Sequence, residues 1–288
     1  MDIHWYPGHM ARTRRQIIED LKLVDVVIEV LDARIPSSSR NPEFNKIAGQ
    51  KPRLVVLNKS GLAESEKTRL WLEHFRASGF CAAAADALQG RGMREIPALV
   101  RELAAPIMAA LAASGRRPRA PRCMVLGIPN VGKSLLINRL VGRSAARTGD
   151  KPGVTRGRQW IRVAGNIDLL DTPGILWPKL EDAEAAFRLA ATGALKDEAY
   201  DFYAVAGKLV HWLAENHPDA LKERYKLDQL PSGQEELLEA VGAARGYYLS
   251  GGVIDTIKSA RILLKEFREG RLGRYTLDEP PYSGTASS

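Results

Sequence analysis

Apolar residues in this 288-residue chain fall into two textures. Up to about position 177 they form short dense runs: VDVVIEVLDAR at 24–34, RLVVLNK at 53–59, FCAAA at 80–84, CMVLG from Cys123, QWIRVAG from Gln159 and IDLLDTPG from Ile167. Such runs, bounded by turn residues, predict strands, and the first two read as strands buried on both faces. Between them, ESEKTRLWLEHFRASG sets Leu70, Leu72 and Phe75 at helical spacing and closes on Gly79, a C-cap residue. Further helices are expected over 93–113 and after Lys133. Strands alternating with helices predict an α/β fold with a sheet covered on both faces.

Past Trp177 the dense runs stop. Amphipathic helical patterns follow at about 182–196, 200–216, 234–245 and 252–270, separated by NHPD, LPSG and LSGG. The expected organisation is an α/β domain over 1–177, an all-helical domain over 178–276 and a disordered tail over 277–288. The first 23 residues read as an aromatic Gly-Pro segment and a basic stretch, Arg12, Arg14 and Arg15. SGRRPRAPR at 114–122 reads as an exposed linker.

Composition narrows the class. With 45% hydrophobic and 26% charged residues the chain is an ordinary globular protein. No apolar run approaches the ~20 residues of a membrane span, and the N-terminus lacks the apolar core of a signal peptide. Cys81 and Cys123 are too few for a disulfide framework or metal cluster and read as reduced core residues. These features predict a cytoplasmic protein with no membrane partner. The net charge of +8 leaves room for a nucleic-acid partner; only the placement of the charge can decide.

The chemistry concentrates after Cys123. GIPNVGKS at 127–134 fits G-x-x-x-x-G-K-[ST] at every fixed position. Gly127 and Gly132 let the backbone approach phosphate oxygens without an intervening Cβ. The N–H groups of Asn130, Val131, Gly132, Lys133, Ser134 and Leu135, at a helix start, supply positive potential. Lys133 reaches the β- and γ-phosphates, and Ser134 ligates Mg²⁺. LLDTPG delivers Asp171, placed to hold Mg²⁺ through water, and Gly174, whose N–H senses the γ-phosphate. Thr155 in KPGVTRG is the candidate second Mg²⁺ ligand; a loop threonine without a role is the plain alternative. VVLNKSGL at 55–62 offers Asn58 and Lys59 as base-side residues, but upstream of the phosphate loop and with Gly61 where many GTPases carry an aspartate.

The order phosphate loop, threonine loop, D-T-P-G resembles GTPases of the translation-factor-related class. A fold cut and rejoined elsewhere would return the upstream Asn-Lys loop to its usual place in space. WYPGHM, DARIP, SSRNP, KPRLVVLNK, GIPNVGKS, TGDKPGVT, LLDTPGILWPK, ATGALKD, LKERYKLD and SGG occur in order along nearly the whole chain. On these motifs the sequence resembles the RbgA/YlqF family of circularly permuted ribosome-biogenesis GTPases. The resemblance implies a circularly permuted P-loop GTPase domain with a C-terminal helical RNA-binding domain. It implies GTP/GDP and Mg²⁺ as ligands, and the large ribosomal subunit precursor with its rRNA as partner. It also implies a monomer off the ribosome.

Other assignments follow from the resemblance. Ile175 stands where Ras-type enzymes place a water-orienting glutamine. His9 in PGHM is then the candidate to position water, with a structural or RNA-contacting role as the alternative. Asn130 matches the asparagine that helps hold K⁺ in potassium-activated relatives; a turn-forming asparagine is the alternative. Gly61 removes the charged reader of the guanine edge. Glu64 is the replacement if the loop is remodelled; separately, AAAADAL reads as the companion loop, with a backbone N–H near Ala84–Asp86 for the guanine carbonyl. On the last helix Lys258, Arg261, Lys265 and Arg268 share one face, and Ile254, Ile257, Leu264 and Phe267 an adjacent one; Lys222, Arg224 and Lys226 add charge. That basic face suits an RNA backbone or is a solvated surface. Two further functions compete: an RNA-binding assembly factor with relaxed nucleotide specificity, and a P-loop ATPase of unrelated purpose.

Overall fold

A computed structural model describes residues 7–142, 160–163, 166–170 and 182–281, with side chains from Arg14 onward. The chain divides into two units. One holds the sheet, over Trp5–Lys179 and Thr276–Ser288; the other contains Leu180–Tyr275.

The sheet unit opens with α1 (Pro7–Leu21), then β1 (Val26–Asp32), α2 (Pro42–Ala48), β2 (Arg53–Asn58), α3 (Ser65–Ala77), β3 (Cys81–Ala84), α4 (Glu95–Ala113), β4 (Arg122–Leu126), α5 (Lys133–Val141), β5 (Trp160–Val163) and β6 (Ile167–Leu170). The strand order is β3-β2-β1-β4-β6-β5, parallel throughout except for β5. Every residue of β1 and β2 is buried. Alternate residues serve opposite faces, as the pleat requires. Val27, Met124, Leu126 and Leu170 pack with Ile17 and Leu21 of α1 and Phe44 of α2. Leu31, Val55, Leu57 and Ala82 pack with Trp71 and Phe75 of α3. Ile28, Cys123 and Leu169 face Ile96 and Val100 of α4 and Leu140 of α5. Cys123 is wholly buried, and burial pushes its thiol up to about 12.

The sheet grows outward from β4 in both directions. β1 to β3 lie on one side, although they precede β4 in the chain; β6 and β5 lie on the other. Strand order therefore reverses between β1 and β4. In parallel sheets the crevice at the carboxyl ends of such a pair is where ligands bind.

Three helices differ from the sequence reading: α1, α2 and, in the helical unit, α8 (Pro218–Tyr225). Each begins on a proline, which reads as a breaker. At the first helical position its missing N–H costs nothing and its φ is already set. Asn41 completes the start of α2 by accepting from the Glu43 N–H at 2.9 Å.

The expectation of no apolar run long enough to span a bilayer also needs correction. α4 is long and apolar enough by length and composition. Its Ile96, Pro97, Val100 and Ala104 are buried against the sheet unit, and Arg101 and Glu102 interrupt its apolar character.

The segment 114–122 is an exposed linker over residues 114–119, as expected, and it lies within the sheet unit. It joins α4 to β4, and Arg119 makes a two-pronged ion pair with Asp25 at 2.7 and 2.8 Å. Arg122 stacks on Trp160, 5.0 Å from the ring centroid.

The expectation of a disordered tail from 277 is corrected as far as 281. Leu277 N–H donates to the Arg34 carbonyl at 2.8 Å, and Ser38 donates from N and Oγ to the Asp278 carboxylate at 2.7 Å each. The Trp71 indole donates to the Asp278 carbonyl at 3.2 Å, and Thr276 exchanges bonds with Glu64. The low-complexity look of DEPP hides a strap bonded to Arg34, Ser38, Glu64 and Trp71.

The helical unit contains α6 (Ala183–Ala191), α7 (Phe202–Asn216), α8, α9 (Gln234–Arg245) and α10 (Thr256–Arg268). Val205, Leu209, Val210 and Leu213 of α7, Leu237, Leu238 and Val241 of α9, and Leu263, Leu264 and Phe267 of α10 form its core. Asp201 caps α7 by accepting from the Tyr203 and Ala204 N–H groups at 3.0 and 3.1 Å. Buried Glu266 on α10 accepts from Arg224 and Arg245, both at 2.6 Å, and from the Tyr225 hydroxyl at 2.9 Å.

Candidate nucleotide site

The phosphate loop leaves β4 at the reversal point and ends at α5. Asn130 adopts a left-handed conformation, φ 61°, and is exposed, whereas the Val131 side chain is fully buried. Gly132 has φ 93°, and a Cβ there would lie 2.3 Å from Asn58 Nδ2, so only glycine fits. Ser134 and Leu135 sit exposed in the first turn of α5, where helix N–H groups point outward unpaired. Lys133 Nζ donates to the Ile128 carbonyl at 2.5 Å across the loop. Its burial lowers the ammonium's pKa to about 8. A half-desolvated cation beside a helix N-terminus fits a polyphosphate, because an anion there would restore the charged form.

The second part of the site comes from β2. Asn58 Nδ2 donates to the Val131 carbonyl at 2.8 Å, and its Oδ1 accepts from the Ala87 N–H at 3.0 Å. One buried side chain thus ties the phosphate loop to the loop after β3. Ser60 N–H adds a bond to the Ala85 carbonyl at 3.1 Å, and Ala85 N–H one to the Leu57 carbonyl at 2.8 Å. Lys59, left-handed at φ 60°, donates to Asp32 Oδ2 at 2.8 Å. Arg34 grips the same carboxylate through Nε at 3.0 Å and Nη2 at 2.7 Å. Burial alone would raise the pKa of Asp32; the Arg34 and Lys59 charges outweigh it and hold the carboxyl far below its usual range. DAR at 32–34 therefore anchors the Lys59 ammonium and fixes where its stem runs.

The proposed replacement for the missing aspartate does not survive. Glu64 is engaged by the strap, accepting from Thr276 N–H at 3.0 Å and pairing with Lys67 at 3.5 Å. The Ala85 and Asp86 N–H groups are already taken, by the Leu57 and Arg91 carbonyls. The loop after β3 instead contributes Asp86, which is buried. Its Oδ1 accepts from Gln89 N–H at 2.9 Å, and its Oδ2 lies 2.2 Å from where a Cβ on Gly61 would stand. The sequence reading missed this residue. Its signal was an acid in a run of alanines, within a chain lacking an acid at 61.

Among the remaining predicted residues, His9 lies on α1 with its side chain outside the described residues. Thr155, Asp171, Gly174 and Ile175 also lie outside them.

A strand, a glycine-bearing loop and a helix at a sheet reversal, with a buried lysine and an Asn-Lys loop tied to it, define a P-loop nucleoside triphosphatase of permuted strand order. Ribosome biogenesis GTPase A of Bacillus cereus is 48% identical over 284 residues, 99% of this chain and 96% of that protein. The chain belongs to the ribosome biogenesis GTPase A family and is a GTPase. A family model described as 50S ribosome-binding GTPase matches residues 122–223. It begins at β4 and leaves β1 to β3 outside, as expected if permutation moved them upstream. The GNP-bound structure of YlqF from T. maritima superposes with a TM-score of 0.63 at 25% identity, covering 93% of this chain and 98% of that one. A GDP-bound YlqF structure gives 0.65 over 92% and 99%.

The basic face of α10 is smaller than its sequence suggests. Arg268 is spent internally on the Ala190 and Ala191 carbonyls, Asp197 and Tyr200, and Arg224 is held by Glu266. Lys258, Arg261 and Lys265 are exposed. Lys258 stands over the Tyr247 ring and Arg261 over Phe202, each 4.3 Å from the centroid. Ile257, assigned to the docking face, is 51% exposed, as Ala260 and Leu263 supply the core contact instead. Tyr248, Leu249 and Val253 are exposed just before this helix.

Proposed function

We propose that this protein hydrolyses GTP as an assembly factor for the large ribosomal subunit, binding the pre-ribosome and its rRNA in a nucleotide-dependent way in the cytoplasm. The observation that carries this reading is Asn58, which joins a base-side loop to a phosphate loop 73 positions downstream. A shared nucleotide accounts for two loops so distant in the chain being stitched together. Mg²⁺, when bound, would neutralise charge on the phosphates. Ser134 would hold it from the start of α5, with Thr155 and Asp171 as further ligands. Thr155 and Gly174 report the γ-phosphate, and the D-T-P-G loop lies just before the chain passes into the helical unit at Leu180. Lys258, Arg261 and Lys265, with Tyr248 available for base stacking, offer an RNA-binding face. The protein is a monomer away from the subunit. The test is cosedimentation of the purified protein with large-subunit precursors in GTP, GDP or a non-hydrolysable analogue. Tighter binding with the analogue than with GDP is expected; equal binding in all three sinks the switch. A second reading, an RNA-binding factor of relaxed base preference, is favoured by Gly61 alone.

His9 positions the attacking water in this proposal, and Asn130 helps to place K⁺ against the phosphates. His9→Ala is expected to slow single-turnover hydrolysis by about 10²-fold while GTP affinity changes little. Wild-type protein is expected to turn over faster in KCl than in NaCl. Equal loss of affinity and rate removes His9 from catalysis, and equal rates in the two salts remove K⁺.

A further inference from the structure

The guanine edge presents two adjacent donors, N1–H and the 2-amino group, and a carboxylate is the side chain that accepts both. The Asn-Lys loop cannot supply one. Gly61 has no side chain, both ends of the Asn58 amide are engaged, and Lys59 is a cation paired with Asp32. Asp86 reaches the same place from the neighbouring loop. Its Oδ2 lies 2.2 Å from the Cβ position of Gly61. That is close to the distance at which a carboxylate oxygen sits from its own Cβ. The two loops have therefore exchanged a residue: the acid stands in the second, and the glycine that makes room for it stands in the first.

Asp86 is also fixed for such work. Its N–H donates to the Arg91 carbonyl at 2.9 Å, and its own carbonyl accepts from Gly90 and Arg91 at 2.7 and 3.1 Å. Oδ1 accepts from Gln89 N–H. A carboxylate offers about four acceptor sites, so that single bond leaves capacity for two more. Asn58 and Ser60 hold the loop against the Asn-Lys segment on the side facing the phosphate loop.

We propose that Asp86, standing in for the absent side chain at Gly61, is the residue that selects guanine. The proposal rests on the reading of this site as a GTP site. It makes Gly61 a requirement, because any side chain there collides with Asp86. Gly61→Asp alone sets two carboxylates against each other, and like charges in contact oppose ionisation of both.

Binding of fluorescent GDP, XDP and ADP to full-length protein tests it. Wild type is expected to prefer GDP. Asp86→Asn keeps the Oδ1 acceptor for Gln89 but turns the other atom into a donor, which suits the 2-carbonyl of xanthine. GDP affinity should fall by about 10²- to 10⁴-fold, and XDP should become the preferred ligand. Gly61→Asp should weaken GDP binding, and Gly61→Asp/Asp86→Ala should recover it. The double variant keeps the test decisive if Asp86→Asn folds poorly. An unchanged GDP-over-XDP preference in Asp86→Asn, or GDP binding by Gly61→Asp/Asp86→Ala no better than by Gly61→Asp, overturns the assignment and leaves the GTP site standing. Failure of wild type to prefer GDP removes the reading beneath it as well.

Discussion

Alanine at position 133 lowers GTP hydrolysis by about 10²- to 10³-fold. Lys133 is the cation that the phosphate loop holds partly out of water, its Nζ set against the Ile128 carbonyl. Charge developing on the transferred phosphoryl oxygens meets this ammonium in a low-dielectric setting, where it acts far more strongly than in water. The same burial makes nucleotide affinity depend on pH. The pKa of Lys133 is lowered to about 8 in the free protein. A bound polyphosphate favours the charged form and raises it, so binding takes up a proton above pH 8. GDP affinity should be level from pH 6.5 to 7.5, then fall by up to about tenfold per unit above 8. Lys133→Arg, which stays charged, should lack that slope, and Lys133→Ala should lack both the slope and the rate. GDP titrations at four pH values and single-turnover hydrolysis check each arm. A slope that survives in Lys133→Arg assigns the titration to another group.

Asp278→Ala destabilises the sheet unit by about 3 kcal/mol. The Asp278 carboxylate is buried and receives both the N–H and the hydroxyl of Ser38 at 2.7 Å. Its removal strands a buried N–H and discards two charge-assisted bonds, against the partial relief of no longer burying an anion. The neighbouring Glu279→Ala removes an exposed pair with Lys67 and should cost less than about 0.5 kcal/mol. Denaturant melts followed by tryptophan fluorescence separate the two; one of the five indoles, that of Trp71, donates to the carbonyl of residue 278. Equal, small effects would mean that the strap is held by its backbone alone.

Much of this protein was legible in sequence. The dense apolar runs became the β-strands, and those of β1 and β2 are nearly continuous because a strand buried on both faces needs no polar alternation. Gln234–Arg245 emerged as a helix with the bounds its periodicity indicated. The glycine-lysine-serine motif announced a phosphate loop because phosphate binding constrains backbone and side chain within eight consecutive positions. Where the determinants lie close together in the chain, local pattern carries them.

Tertiary structure decided the rest, for the corresponding reason. Ser38 and Asp278 are 240 positions apart, and Asn58 and Val131 are 73 apart. No local pattern marks the tail as a strap or the asparagine as a clasp. Arg268 looked available for RNA until the α6 carbonyls and Tyr200 claimed its guanidinium. Gly61 read as a lost function because sequence shows which residue a loop has given up, but only the fold shows what its neighbour brings. The sequence by itself determined the class of chemistry and the order of its parts. The placement of a carboxylate from one loop in the space left by another loop's glycine was decided by the packing of β2 beside β3.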